Sequence, residues 1–533
     1  MTRKAEQPDL RAGAPSGGGL AVGREAMQGR LPWIVAAIAA SKLALHLAFA
    51  HRYGYFRDEL YYIACSRHLA WGYVDQPPLI ALLTWLELHL GGSSITSLRF
   101  LPALAGAALV VLTALIAREM GAGRFGISFA ALATATVGIY FVLDYLMTMN
   151  AFEPLFWMGG AYLVVRIVNG GDQRLWLGFG VLAGLGLENK YSMAFFAGGI
   201  VLGLILTPQR KVFRSRWIWL GGAVALVIAL PNLLWNVEHH WPFLELMRNI
   251  KLSGKDVELS PLAYVAQQIF IVNPVLFPLW LAGLLWMFAG REGRRYRALG
   301  CAYLVTLGFL VVENGKNYYL APAYPMLLAA GALVLERLAM RRGLRWVKPA
   351  AVMIVLAGVA LLLPLGLPVL SPEAFIRYES KLPFALPVSE KSHAGAAMPQ
   401  YYSDQFGWEE MTVAVARAYD ALPPEERAET CIGASNYGEA AAIDFFGPKY
   451  GLPHAISGHQ NYFLWGPGNC SGRTLILLGE RGPGRWHDQC ATVEVAARLF
   501  HPYGILFENR PVIVCHGFKY DLRTIWPHLK DWN

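Results

Sequence analysis

Two adjacent carboxylates stand in the first polar segment after an apolar stretch, within Phe56-Arg57-Asp58-Glu59-Leu60-Tyr61-Tyr62. A carboxylate held beside a cavity rather than in bulk water can accept the proton of an attacking hydroxyl, so Asp58 is a candidate general base. If the segment is helical, Asp58 shares one face with Tyr61 and Tyr62. Glu59 then lies on a different face of the helix, and we expect it to support Asp58 rather than act as the base. The alternative is that Asp58 only pairs with its neighbour or caps a short helix.

A second group of polar residues, Asp144, Asn150 and Glu153, falls at the ends of two later apolar stretches. A carboxylate that faces a cavity at such a place is a candidate for substrate contact. Glu153 also precedes Pro154 at the start of a predicted helix, so complementing the helix dipole is the alternative role.

Two lysines lie beside aromatic residues in further polar segments, as Lys190-Tyr191 and as Lys316 with Tyr318. Cations near carboxylates would suit a phosphate-bearing substrate. The alternative is that both lysines only extend toward lipid headgroups. The adjacent His239 and His240 have no clear third ligand, so the sequence predicts no metal site.

The composition predicts a membrane protein. Of the 533 residues, 55% are hydrophobic and 16% are charged, and the mean hydropathy is +0.37, which is too apolar for an ordinary soluble enzyme. The net charge of +9 does not indicate nucleic acid, because lysines and arginines cluster between apolar stretches without interleaved base-stacking aromatics.

About eleven apolar segments are long enough to be predicted as transmembrane helices. They lie near residues 33–50, 99–117, 125–143, 154–168, 176–187, 191–206, 217–235, 264–289, 298–312, 319–335 and 348–369.

The distribution of lysine and arginine predicts the orientation. With the N-terminus inside, the inner segments carry 22 of these residues and the outer loops before the last span carry nine, as the positive-inside rule requires. An odd number of spans then places everything after about residue 370 outside. Ala48-Phe49-Ala50 would also fit a signal-peptide cleavage site, but the 32 residues before the apolar stretch favour a retained helix.

Three domains are expected. Residues 1–30, rich in glycine and charge, are predicted to be a disordered cytoplasmic N-terminus, and residues 31–370 form the membrane domain. Residues 371–533 contain short strand-like runs between helical stretches and predict an extracytoplasmic α/β domain. Its four cysteines, Cys431, Cys470, Cys490 and Cys515, allow one or two disulfides whose pairing the sequence does not define.

The motifs resemble those of the GT-C glycosyltransferases of the protein O-mannosyltransferase and aminoarabinose transferase type, family 39, in its bacterial branch. The matching elements are Phe56 to Tyr62, Ala70 to Leu79, Met149 to Trp157, Asn189 to Ser192 and Lys316 to Pro325, in the family's order. The tail segments Ser435 to Ala440 and Ser457 to Pro467 look like the outer domain of the bacterial branch rather than those of eukaryotic mannosyltransferases.

The resemblance implies a GT-C fold and transfer of one sugar, with inversion, from a polyprenyl-phosphate donor to a lipid, glycan or protein acceptor. Asp58 then matches the family's general base, and Glu59 matches its acidic neighbour. Glu153 stands where members often have Asp, so Asn150 is an alternative contact, and Lys190 and Lys316 match positions near the donor phosphate.

The expected location is the bacterial inner membrane, with the N-terminus cytoplasmic and the C-terminal domain periplasmic. No cofactor is required, because fixed cations can stabilise the leaving phosphate. The expected partners are the lipid-linked donor, the acceptor and membrane lipids. Tyr61, Tyr62 and Trp71 would stack on the sugar or serve only as interface anchors.

Two alternatives come from other classes of protein. A secondary transporter would place its ionisable groups near the membrane midplane in two related halves, whereas the carboxylates here lie in outer loops and no halves repeat. A receptor or assembly factor would use the tail for binding, which leaves the loop carboxylates unexplained.

Overall fold

A computed structural model of the protein describes residues 31–388, 390–505 and 508–533. The predicted disordered segment 1–30 lies outside these residues. The helices before residue 370 are α1 (Trp33–Phe49), α2 (Arg57–Arg67), α3 (Leu79–Gly91), α4 (Ile95–Leu98), α5 (Phe100–Glu119), α6 (Arg124–Ala135), α7 (Gly138–Leu143), α8 (Met149–Val168), α9 (Leu175–Asn189), α10 (Met193–Ile205), α11 (Arg216–Glu238), α12 (Pro242–Ser253), α13 (Pro261–Val272), α14 (Phe277–Ala289), α15 (Arg297–Val312), α16 (Tyr324–Ala339) and α17 (Val347–Gly366).

The C-terminal part combines short helices with five strands. Its elements are α18 (Pro372–Glu379), α19 (Gln400–Ser403), α20 (Trp408–Asp420), α21 (Pro424–Glu429), β1 (Thr430–Ala434), α22 (Tyr437–Phe446), β2 (Ala455–Ser457), α23 (Gln460–Trp465), β3 (Thr474–Leu477), β4 (Thr492–Arg498), β5 (Pro511–His516) and α24 (Leu522–Ile525). Short 3₁₀ helices lie at Pro208–Arg214, Pro274–Leu276, Gly293–Tyr296, Asn317–Ala323, Lys391–His393, Gly447–Tyr450, Gly484–Trp486 and Trp526–Leu529.

The apolar helices agree with the predicted segments, but the count of eleven spans is not confirmed. Within the described residues, six helices are long and apolar enough to cross a membrane, or eight if each of two bent pairs forms one span. The other three predicted spans correspond to α1 of 17 residues, α9 of 15 residues and the interrupted pair of α6 with α7. These helices are shorter than the roughly 20 residues that cross a bilayer without thinning it.

Small residues bring neighbouring membrane helices into backbone contact. A Cβ atom on Gly180 of α9 would lie 2.1 Å from the carbonyl oxygen of Gly221 in α11, so neither helix tolerates a side chain there. Such close approach is the usual basis of helix packing in lipid, where hydrophobic burial gives no driving force.

The C-terminal sheet has the strand order β2-β1-β3-β5-β4. Strand β1 is parallel to β2 and β3, whereas β5 is antiparallel to β3 and β4. Disulfides join Cys431 to Cys470 and Cys490 to Cys515. The predicted α/β character of the tail is confirmed, and the structure supplies the pairing that the sequence left open.

Candidate active site

A cavity of about 430 Å³ lies between the membrane helices and the C-terminal part. Part of its wall is apolar and comes from α7, α13, α17 and the segment after α18, with Ile139, Val142, Phe270, Leu362 and Leu386 among the lining residues. The rest of the wall carries charged groups from distant parts of the chain, namely Arg57, Asp58, Asp75, Lys190, Lys255, Lys316, Glu390 and His393. The cavity therefore offers apolar and ionic surfaces to one ligand.

Asp58 lies in the wall of this cavity, on the first turn of α2, as the sequence predicted. Its side chain is 30% exposed and receives a hydrogen bond of 2.7 Å at Oδ1 from the Tyr437 hydroxyl. The Nε atom of Arg57 lies 3.8 Å from the same oxygen. Burial raises the pKa of Asp58, and Arg57 and Tyr437 oppose that rise. A carboxyl with a raised pKa that opens to a cavity can act as a general base.

Glu59 occupies a different environment from Asp58, and its assignment as a catalytic residue stays a prediction. Its carboxylate is fully buried and forms bonds of 2.9 and 2.7 Å with Nε and an Nη of Arg99. It also accepts the backbone N–H groups of Phe56 and Met147. Four donors saturate the carboxylate, so Glu59 fixes the start of α2 and positions its neighbour Asp58.

Asp144 and Tyr191, which the sequence predicts as substrate contacts, lie away from the cavity and bond to other residues. Asp144 is buried against Lys42, with 2.9 Å between Oδ2 and Nζ, which is a structural ion pair inside the helices. The Tyr191 hydroxyl donates to Asn232 and receives a hydrogen bond from Asn236, both on α11. Neither side chain belongs to the cavity wall.

Lys190 does reach the cavity, and Glu153 lies behind it. The Lys190 Nζ atom is 3.0 Å from Glu153 Oε2 and 2.8 Å from Asn150 Oδ1, and it lies 4.1 Å from the centre of the Tyr319 ring. Glu153 is buried and also receives a bond from the Ser192 hydroxyl. Glu153 therefore orients Lys190 from behind, and its role as a substrate contact stays a prediction, whereas Asn150 lines the cavity.

Lys316 and Tyr318 line the cavity as expected. The Lys316 ammonium donates to Glu390 Oε1 at 2.6 Å and lies 3.7 Å from Asp256 Oδ1. An antiparallel bridge between Asp256 and Glu390 joins the two loops that supply these carboxylates. Both loops lack a periodic pattern, so nothing in the sequence indicates that Glu390 or the neighbouring Lys255 would reach the site.

The connection between α2 and α3 contributes a second carboxyl group, Asp75, for which the sequence predicted no role. Asp75 lines the cavity and accepts a hydrogen bond of 3.0 Å from the Tyr61 hydroxyl. Burial raises the pKa of Asp75 to about 7. Tyr61 therefore orients Asp75 from behind, whereas Tyr62 faces the cavity directly.

Among the lining residues from the C-terminal part, Tyr437 and Gln460 lie at the starts of α22 and α23. Both belong to the tail motifs Ser435 to Ala440 and Ser457 to Pro467, for which the sequence predicted no site. Only the folded chain shows that these motifs meet the first polar segment. Among residues 31–388, 390–505 and 508–533, no group of three or more His, Cys, Asp or Glu residues is arranged to hold a metal ion.

Comparisons with known proteins agree with this architecture. The model of the dolichyl-phosphate-mannose-protein mannosyltransferase family matches residues 75–235. The lipid A galacturonosyltransferase RgtD of Rhizobium johnstonii is 29% identical over 340 residues, which cover 58% of this chain and 66% of that relative's length.

Solved structures show the same fold. ArnT from Cupriavidus metallidurans bound to undecaprenyl phosphate has a TM-score of 0.59 at 15% identity, over 90% of this chain and 97% of that chain. The Archaeoglobus fulgidus oligosaccharyltransferase has a TM-score of 0.50 at 13% identity, over 85% of this chain and 69% of that chain.

The fold and the comparisons together indicate a multi-pass membrane protein with the ArnT-like GT-C fold and a small C-terminal sheet domain. The resemblance to GT-C glycosyltransferases that the motifs predicted is confirmed.

Proposed function

We propose that this protein is an inverting glycosyltransferase that moves one sugar from a polyprenyl-phosphate donor to an acceptor at the outer face of the inner membrane. The observation that supports this most is the cavity, in which apolar walls, the ammonium groups of Lys190 and Lys316 and the carboxylate of Asp58 meet. A lipid-linked sugar needs these three surfaces together.

Each part of the donor has a matching surface. The isoprenoid chain lies against the apolar wall formed by α7, α13 and α17, and the phosphate lies at Lys190 and Lys316. Both lysines are held by buried carboxylates, Glu153 and Glu390, so they are oriented before the donor arrives. Preorganised cations stabilise the negative charge that develops on the departing phosphate. We therefore propose that no metal ion is needed.

The reaction is a single displacement. Asp58 takes the proton of an acceptor hydroxyl as its oxygen attacks the anomeric carbon from the face opposite the phosphate. The bond between that carbon and the phosphate oxygen breaks, and polyprenyl phosphate leaves with the bonding electrons. One bond forms as one breaks, so the anomeric configuration inverts. The proton held on Asp58 then passes to water.

The relative and the solved structure suggest the first substrates to test. RgtD is named for transferring galacturonic acid to lipid A, and the ArnT structure contains undecaprenyl phosphate. We propose undecaprenyl-phosphate galacturonic acid as donor and lipid A as acceptor for the initial assay. This assignment places residues 371–533 on the periplasmic side, in agreement with the positive-inside bias.

The test uses purified protein in nanodiscs with donor labelled in the sugar and lipid A as acceptor. We expect label in lipid A, release of undecaprenyl phosphate, and an unchanged rate in EDTA. A cell that lacks the protein should accumulate the lipid-linked sugar. Vesicles loaded with solutes provide the contrast, because Asp58-dependent uptake without sugar transfer would mean that the protein is a transporter.

A further inference from the structure

Gln460 has an unusual backbone conformation at the edge of the cavity. Its φ angle is 48°, in the left-handed region that residues with a side chain rarely adopt. Two contacts hold it there, because its N–H donates to the carbonyl of Asp531 and its own carbonyl accepts the indole N–H of Trp532. Such a conformation is strained and is concentrated at ligand sites.

The side chain of Gln460 is buried yet incompletely bonded. It is 4% exposed and lines the cavity. Its Nε2 donates to the carbonyl of Asn533 at 3.2 Å, whereas no donor from the described part of the chain reaches its Oε1. A buried acceptor without a donor destabilises the folded protein. A ligand that donates a hydrogen bond to Oε1 would remove that destabilisation.

Asp75 is held next to Gln460 by a bridge between their chain neighbours. The Val74 N–H donates to Asn461 Oδ1 at 2.6 Å. The Tyr61 hydroxyl donates to Asp75 Oδ1 at 3.0 Å and accepts the Asn461 N–H at 3.3 Å. These contacts fix two hydrogen-bond acceptors, one from each half of the protein, in the same cavity wall.

We propose that Gln460 and Asp75 form a sugar subsite that accepts hydrogen bonds from ring hydroxyls of the donor's sugar. This inference rests on the proposed transferase function. The anomeric carbon must lie between the phosphate at Lys316 and the acceptor oxygen at Asp58, so the attached ring is the part of the donor that lies beside this wall. The C-terminal domain thereby contributes to the choice of sugar.

The test compares two lipids, undecaprenyl phosphate and undecaprenyl-phosphate galacturonic acid, by their binding to protein in nanodiscs. For Gln460→Ala we expect the sugar-bearing lipid to bind about tenfold more weakly, the effect of losing one hydrogen bond of about 1.4 kcal/mol. The affinity for bare undecaprenyl phosphate should stay within twofold, because that lipid lacks the ring.

Two further variants separate ligand binding from folding. Gln460→Gly removes the same amide while relaxing the left-handed backbone, so it should lose affinity for the sugar without losing thermal stability. Gln209→Ala is the matched control, because the Nε2 of Gln209 also donates to a carbonyl at 3.2 Å and its Oε1 also lacks a donor in the described part of the chain, but it does not line the cavity. Its ratio of the two affinities should equal that of the wild type.

The outcomes distinguish this inference from the proposed function. Equal affinity of wild type and both Gln460 variants for the sugar-bearing lipid would overturn the subsite. A raised KM for the acceptor alone would also overturn it, because the amide would then contact the acceptor. If the wild type bound neither lipid, the proposed transferase function itself would fail.

Discussion

The hydroxyl of Tyr437 donates a 2.7 Å hydrogen bond to Oδ1 of Asp58, across 379 residues of chain. Next to it, a Cβ atom on Gly438 would lie 2.5 Å from Cγ of Arg57, so the start of α22 packs tightly on the start of α2. The candidate base therefore has one partner from each half of the protein. The C-terminal part therefore contributes a side chain that contacts the candidate base directly.

This contact predicts a pH effect for Tyr437→Phe. Asp58 must be ionised to act as a base, so kcat/KM falls as the pH drops below its pKa. The tyrosine hydroxyl stabilises the carboxylate and opposes the rise that burial causes in the pKa of Asp58. Removing that hydroxyl raises the pKa further, and we expect the acid limb of the pH–rate profile to move to higher pH.

Phenylalanine keeps the ring that stacks on His459 at 5.1 Å between centroids, so the variant should remain folded. An acid limb that stays in place or moves to lower pH would contradict the role of this hydrogen bond.

Lys316 is predicted to bind the donor phosphate. We expect Lys316→Gln to raise the donor KM roughly tenfold to a hundredfold, the loss that follows from one charge-assisted hydrogen bond of about 1.5–3 kcal/mol. This change alone leaves the buried carboxylate of Glu390 without its ion-pair partner. The decisive comparison is therefore between the donor KM of the double variant Lys316→Gln/Glu390→Gln and that of Glu390→Gln. Lys251→Gln is the matched control, since its side chain is 81% exposed. Equal donor KM values in the double and single variants would contradict the assignment.

Glu59 should matter for stability. Glu59→Gln keeps the shape of the side chain but leaves the buried guanidinium of Arg99 without its counter-charge. Removing one partner of a buried ion pair lowers the free energy of unfolding by about 3–5 kcal/mol. Thermal unfolding in detergent should reveal this loss. The control is Glu313→Gln, which breaks an exposed ion pair with Lys251. It should lower the free energy of unfolding by less than about 1 kcal/mol. If Glu59→Gln lost transfer activity but kept the wild-type unfolding temperature, the result would favour a catalytic role for Glu59.

The two disulfides should stabilise the domain that supplies Tyr437. Cys431 lies in β1, four residues before the loop that begins at Ser435 and leads to α22, and its bond to Cys470 joins positions 39 apart in the chain. Reduction should lower the free energy of unfolding by about 2–4 kcal/mol per bond. Thermal unfolding with and without reductant measures this effect, and a Cys431→Ser/Cys470→Ser variant serves as the matched control. An unchanged unfolding temperature after reduction would contradict the stabilising role of the disulfides.

Much of the site could be predicted from the chain alone. Asp58, Asn150, Lys190 and Lys316 line the cavity because each stands in a polar segment directly next to an apolar one, which brings all four to the ends of helices. The position of Asp144 at a helix break gave no indication that its carboxylate would pair with Lys42 of α1, away from the cavity.

Other features depended on tertiary contacts. The pairing of Glu59 with Arg99, 40 residues away, decides which member of the acidic pair faces the cavity. Gln460 and Tyr437 reach the site only because the C-terminal domain packs on the first polar segment. The number of spans could not be derived from hydropathy, because three apolar segments form short or interrupted helices.

Comparing wild type with Asp58→Asn in the sugar-transfer assay tests the central claim most directly. Asparagine preserves the shape of the side chain but cannot take a proton, so we expect transfer to fall about 10²–10⁴-fold. Binding of undecaprenyl phosphate should persist, and the wild-type product should have the inverted anomeric configuration. Full transfer by Asp58→Asn, or a product with retained configuration, would contradict the proposed mechanism.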